Sequence, residues 1–103
     1  MANKIVEAYV KCIRGTSGNS IPGGALKYWE KQTGLRAGLC SCVGCSKPAT
    51  DGAHVIVTKY ISNGQWVNHP SREQYIIPMC HKCNEQEGEA IHVRAIFVPV
   101  AQG

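Results

Sequence analysis

The chain has 103 residues, with 11 Lys and Arg against 7 Asp and Glu, six cysteines and a net charge of +4. That length makes one domain (1–103) with a modest core. No apolar run approaches the roughly 20 residues of a membrane-spanning helix. The cysteines are too sparse for a disulfide scaffold, and the stretch from Met1 to Lys4 opens no signal peptide. A reducing, cytoplasmic setting with no membrane contact is expected. The basic excess lies in residues 1–82, while Glu85, Glu87 and Glu89 make the C-terminal part acidic. It suits a nucleic-acid partner without demanding one.

Lys4 to Arg14 reads as a strand from Ile5, Val6, Tyr9, Val10 and Ile13, with Cys12 as a small strand hydrophobe. Gly15 to Ser20 is a loop by composition. Ala25 to Thr33 reads as a short helix stopped by Gly34, with Leu26 and Trp29 on one buried face. Leu35 to Lys47 carries a first cysteine knuckle, Cys42-Val-Gly-Cys45. Ala53 to Tyr60 is a strand by its β-branched content. Asn63-Gly64 signals a hairpin, with Gln65 to Val67 as the return. Asn68 to Arg72 is loop, and Gln74 to Ile77 a further strand ending at Pro78. Cys80 to about Ala90 fits a short helix that begins on a second knuckle, Cys80-His-Lys-Cys83. Ile91 to Val100 is a last strand, with Pro99 at an edge position.

Two C-x-x-C pairs supply the four thiolates of a closed tetrahedral zinc site, so Cys42, Cys45, Cys80 and Cys83 are the expected ligands of a structural Zn²⁺. Cys40 stands two residues before Cys42 and is the alternative to it; C-x-x-C geometry favours Cys42. A closed site builds the fold and leaves no position for substrate. The expected class is therefore α+β: a small zinc-stapled treble clef with an extra N-terminal strand and helix and a C-terminal strand.

Two stretches, Asp51-Gly-Ala-His54-Val-Ile-Val and Tyr75-Ile-Ile-Pro-Met-Cys80-His-Lys-Cys83-Asn84, resemble the HNH family of treble-clef nucleases over residues 42–84. The resemblance implies a ββα unit acting on nucleic acid, with a second, hard divalent ion (Mg²⁺ or Mn²⁺) beside the zinc scaffold. His54 takes the place of the general base that deprotonates water, and Asn84 a place that can hold that ion. Ala53 stands where the family has a metal ligand, and Tyr75 where it has a bracing asparagine. Asp51, His69 or His81 are the residues that could substitute. Trp66, with Tyr60 beside Lys59, makes an aromatic and basic cluster able to stack bases. Lys47, Lys59, Arg72 and Lys82 are candidates for phosphate contact. A metal-dependent nuclease, a non-catalytic nucleic-acid binder and a zinc scaffold for a protein partner, as adaptor or inhibitor, all remain open.

Overall fold

The computed structural model describes residues 4–13, 24–69, 73–86 and 89–100. Its elements run β1 (Ile5–Cys12), α1 (Ala25–Thr33), β2 (Asp51–Ser62), β3 (Gln65–Asn68), β4 (Gln74–Met79), α2 (His81–Asn84), β5 (Ile91–Ile96) and β6 (Val98–Pro99). The result is a small, mostly antiparallel sheet with two short helices. The sheet dominates more than an α+β expectation implies. Among the described residues, no helix is long and apolar enough to cross a membrane.

Strand order is β5-β1-β2-β4-β6, with β3 also beside β2, and every pairing is antiparallel. β5 and β6 lie at opposite ends of that order, yet only Phe97 separates them. The Cα atoms of Ile96 and Val98 can be at most about 7 Å apart, whereas five flat strands would set the edges about 19 Å apart. The sheet must therefore curl until its edges meet. Residues 91–99 act as one bent strand, bordering β1 before the bend and β4 after it. A register shift at Tyr9/Val10 leaves Thr58 without a partner residue in β1, which adds curvature. The Thr58 hydroxyl donates to the Tyr9 carbonyl at 3.0 Å.

Alternation along the strands gives the curled sheet two faces. The inner one carries Ala8, Val10, Ala53, Val55, Val57, Ile77, Met79, Val93 and Ala95, all buried in one core. On the outer one, α1 covers β2, β4 and β6: Trp29 packs on Ile76 and Val98, and its indole N–H donates to the Ile96 carbonyl at 2.7 Å. Gly52 permits this approach, since a Cβ there would lie 2.4 Å from the Leu26 nitrogen. The two turn signals behave as expected. Gly34 stops α1 with φ 73°, and Asn63 (φ 52°) and Gly64 (φ 77°) close the β2–β3 hairpin.

Several boundaries differ from expectation, among them the end of β4, which runs through Pro78 to Met79. β2 begins at Asp51, because its first residues already pair with Met79 and Pro78. The last strand breaks at Phe97, where the sheet closes. α2 is one turn long and does not reach Ala90; Glu85, Gln86, Glu89 and Ala90 are exposed, so a longer helix would have no apolar stripe to bury. The expected Gly15–Ser20 loop and Arg72 lie outside the described residues.

Candidate metal centre and outer-face patch

The first knuckle is fixed by its backbone. Cys40 N–H bonds Lys47 O at 2.8 Å, Ser41 N–H bonds Pro78 O at 3.0 Å, Val43 N–H bonds His92 O at 2.9 Å and Arg94 N–H bonds Ser41 O at 3.0 Å. Residues 40–43 thus span from the end of β4 to the free edge of β5. Gly44, at φ 87°, turns the chain back toward Cys45. The second knuckle starts α2, with Cys80 as its N-cap. These anchors bring the sulfurs of Cys40, Cys45, Cys80 and Cys83 within 4.8 Å of one another. The Cys45 and Cys80 sulfurs are 3.9 Å apart, close to the ~3.8 Å edge of a tetrahedron with Zn–S bonds of about 2.3 Å. Four such thiols can hold a metal ion.

One member of the expected set changes: Cys40 stands in the cluster where Cys42 was expected. The two flank Ser41, where the chain bends, and both are buried in the main core. Cys42 stays beside the cluster, buried in the same core, and lines a cavity with Cys45 and Cys83. Its own carbonyl takes the Cys45 N–H at 3.1 Å. Burial pushes the Cys42 and Cys83 thiols up. The Cys83 N–H donated to Cys80 sulfur brings Cys80 down to about 7. Negative charge is therefore best tolerated at the start of α2.

His54 and Asn84 do not converge. His54 pairs with Ile76 on the outer face of β2, the side that carries α1. Its Nε2 is buried without a partner, and burial, which disfavours the charged ring, pushes its pKa down. Asn84 bonds Asp51 Oδ2 at 3.1 Å, and Asp51 shares the inner side of β2 with Ala53. The same oxygen accepts His81 Nδ1 at 2.9 Å, while Oδ1 accepts Thr50 Oγ1 at 3.1 Å. The carboxylate proposed as a substitute ligand is thus spent on tying α2 to β2. His69 lies at the end of β3, its Nδ1 buried without a partner and its ring against Tyr60 and Tyr75.

His81 is held above its ordinary value, by its hydrogen bond to Asp51 first and then by Glu85, 2.6 Å from Nε2. Burial alone would raise Asp51, but the bonds from His81, Asn84 and Thr50 hold it below the usual carboxylate range. The signs define a window. The His81 contribution is complete below the ordinary histidine value and is lost as pH rises through the raised one. The Asp51 contribution is complete above the ordinary carboxylate value and is lost as pH falls through the lowered one. Asp51→Asn is therefore expected to move the His81 titration downward in an NMR pH series; an unmoved titration would show that this bond does not set it.

Lys59 and Trp66 do come together, with partners that the sequence reading did not name. Tyr60 turns inward against the core, since neighbours along a strand face opposite sides. Tyr9 and His92 take its place on the outer face. Tyr9 stacks on His92 at 4.8 Å between centroids, with 13° between planes, and meets Trp66 at 5.0 Å. Trp66 meets the His92 edge at 5.7 Å. Lys59 Nζ lies 5.0 Å from the Tyr9 centroid and 5.9 Å from that of Trp66. His92 Nε2 donates to Glu7 at 2.6 Å. Lys11 and Arg94 are exposed on the same face by register. Lys47, in the first knuckle loop, and Lys82, on α2, are exposed outside this group.

Compared with known proteins, the chain matches no family model, no curated protein and no solved structure.

Proposed function

We propose that the protein binds nucleic acid through the outer face of its sheet, and that a zinc ion on the cysteine cluster holds this scaffold without doing chemistry. Unpaired bases stack on Trp66 and the rings beside it, while Lys59, Lys11 and Arg94 meet phosphates. The observation that carries the reading is the grouping of Tyr9, Trp66, His92 and Lys59 on a sheet face that α1 leaves open. An aromatic platform with interleaved cations binds single strands, because every base offers a π-face and every linkage a charge. Trp66 is 42% exposed, so part of its ring is open to a stacking base.

The cysteine half supports the treble-clef description by the order of its parts: knuckle, hairpin-bearing strands, knuckle at a helix start. Four thiolates in a tetrahedral set suit zinc. The two residues expected to carry HNH-type hydrolysis do not meet. A hard ion needs several oxygen or nitrogen ligands converging on it, and His54 and Asn84 face opposite sides of β2.

Fluorescence anisotropy with labelled single strands and duplexes tests the reading on the zinc-loaded protein. Single strands should bind more tightly, and binding should weaken as salt rises. Trp66→Ala should weaken it about 5- to 150-fold, as expected for one lost stacking contact of about 1–3 kcal/mol. Lys59→Ala should flatten the slope of log K against log salt by about 0.7. With Mg²⁺ or Mn²⁺ present, plasmid DNA should stay uncut. Absence of salt-dependent binding to any oligonucleotide would overturn the proposal and favour a scaffold for a protein partner.

A further inference from the structure

Five thiols surround a centre that needs four. Cys40, Cys45, Cys80 and Cys83 are mutually within 4.8 Å, and Cys42 is buried in the same core and lines a cavity with Cys45 and Cys83. Cys45, Cys80 and Cys83 belong both to this cluster and to the paired knuckles of the sequence. Only the remaining position has two claimants.

We infer that Cys40 and Cys42 are interchangeable occupants of one coordination position, so the metal centre carries a spare ligand. The backbone favours exchange. Both residues flank Ser41 and are buried in the same core as Cys80. The 40–43 segment is held at Cys40, Ser41 and Val43 by hydrogen bonds of 2.8–3.0 Å to Lys47, Pro78, Arg94 and His92. The peptide frame therefore stays in place, and the swap needs only rotation of two side chains between staggered wells. Room exists on the Cys42 side, where a cavity of about 390 Å³ is lined by Cys42, Cys45, Cys83 and His92. On the other side, Cys40 has soft neighbours: the Cys12 thiol lies near it, and Cys12 sulfur is 4.0 Å from that of Met79. The exchange is redox-neutral. Cys42 gives up its thiol proton and forms a metal–sulfur bond; Cys40 leaves the metal as thiolate and takes a proton. The count of four thiolates is unchanged, so one thiol can be blocked without losing the ion.

The test reads coordination directly. Cobalt(II) replaces zinc, and the sulfur-to-metal charge-transfer band reports the number of thiolates. Cys40→Ser and Cys42→Ser should each keep a four-thiolate spectrum and one zinc per chain by elemental analysis. Cys45→Ser, and the double variant Cys40→Ser/Cys42→Ser, should lose that spectrum. Loss of it in either single variant would overturn the inference and assign the position to the residue replaced. The unaltered zinc-loaded protein gives a second reading that no folding defect can obscure. After limited alkylation with a small maleimide, zinc-retaining chains should carry the label on Cys40 in some molecules and on Cys42 in others, never on both. Label confined to one of the two would show a fixed ligand set.

Discussion

Stripping the metal from the reduced protein, or replacing Cys80 with serine, is expected to unfold the cysteine-bearing half at ambient temperature. A four-thiolate zinc site contributes an apparent ~10–16 kcal/mol at neutral pH, while a whole domain is stable by about 5–15 kcal/mol. The placement of the cluster makes it hard to replace. Cys40, Cys42 and Cys80 are themselves members of the main buried core, beside Met79 and Val93. Without an ion, several buried thiols would crowd one another with no strong partner. An ion bound there would also join the 40–45 loop to the β4–α2 junction, since Cys80, 35 residues after Cys45, has its sulfur 3.9 Å away. Acid should act in the same direction, since bound thiolates must stay deprotonated and protons compete with the metal as pH falls. Circular dichroism and thermal melts with and without a strong chelator measure the effect. An unchanged melting midpoint after verified metal removal would end the view that this cluster staples the fold.

Local chemistry made several parts of this molecule legible. Asn63-Gly64 and Gly34 specify backbone conformations that few other residues adopt, so the hairpin and the end of α1 could be read directly. Cysteine spacing marked a cluster able to hold a metal ion, because thiol pairs at short intervals have few other uses in a reducing setting. The choice between Cys40 and Cys42 was less accessible. It depends on how residues 40–43 are pinned between β4 and β5, which is a tertiary matter. The closure of the sheet was hidden for a similar reason: residues 91–100 read as one strand, and nothing in their order says that each half borders a different neighbour. The outer patch combines Tyr9 and His92, which are 83 positions apart and meet only because β1 and β5 pair in register. Period-two alternation was the available signal, and it would have separated Lys59 from Tyr60. The HNH-like stretch shows the opposite hazard. His54 and Asn84 stand at the motif's spacing, yet strand parity sends His54 to the outer face, while the Asp51 carboxylate holds Asn84 on the other.

Trp29→Ala is expected to destabilise the protein by about 3–5 kcal/mol, the usual cost of truncating a buried tryptophan, while leaving the cysteine cluster and the proposed nucleic-acid face as they are. Trp29 belongs to a satellite core with Ile76 and Val98, separate from the cysteine-bearing one. Its N–H bond to Ile96 O falls beside Phe97, where the sheet bends to close. Truncation removes the packing of α1 and leaves that carbonyl without its indole donor. Gly52→Ala should act on the same contact by another route. The new methyl would meet backbone atoms of Ala25 and Leu26 at 2.4–2.5 Å, and backbone cannot rotate away as a side-chain tip can. The helix must lift, at a cost of at least ~1–3 kcal/mol. Hydrogen exchange should show faster opening of β6 and its edge with β4 in both variants, with cobalt spectra unchanged. Tyr9, Lys59, Trp66 and His92 make no ring or cation contact with α1. Oligonucleotide affinity of either variant, measured below its melting transition, should therefore equal that of the parent protein. A folded Trp29→Ala protein that no longer bound single strands would move the binding surface away from the β1–β2–β3–β5 face and onto the side that α1 covers.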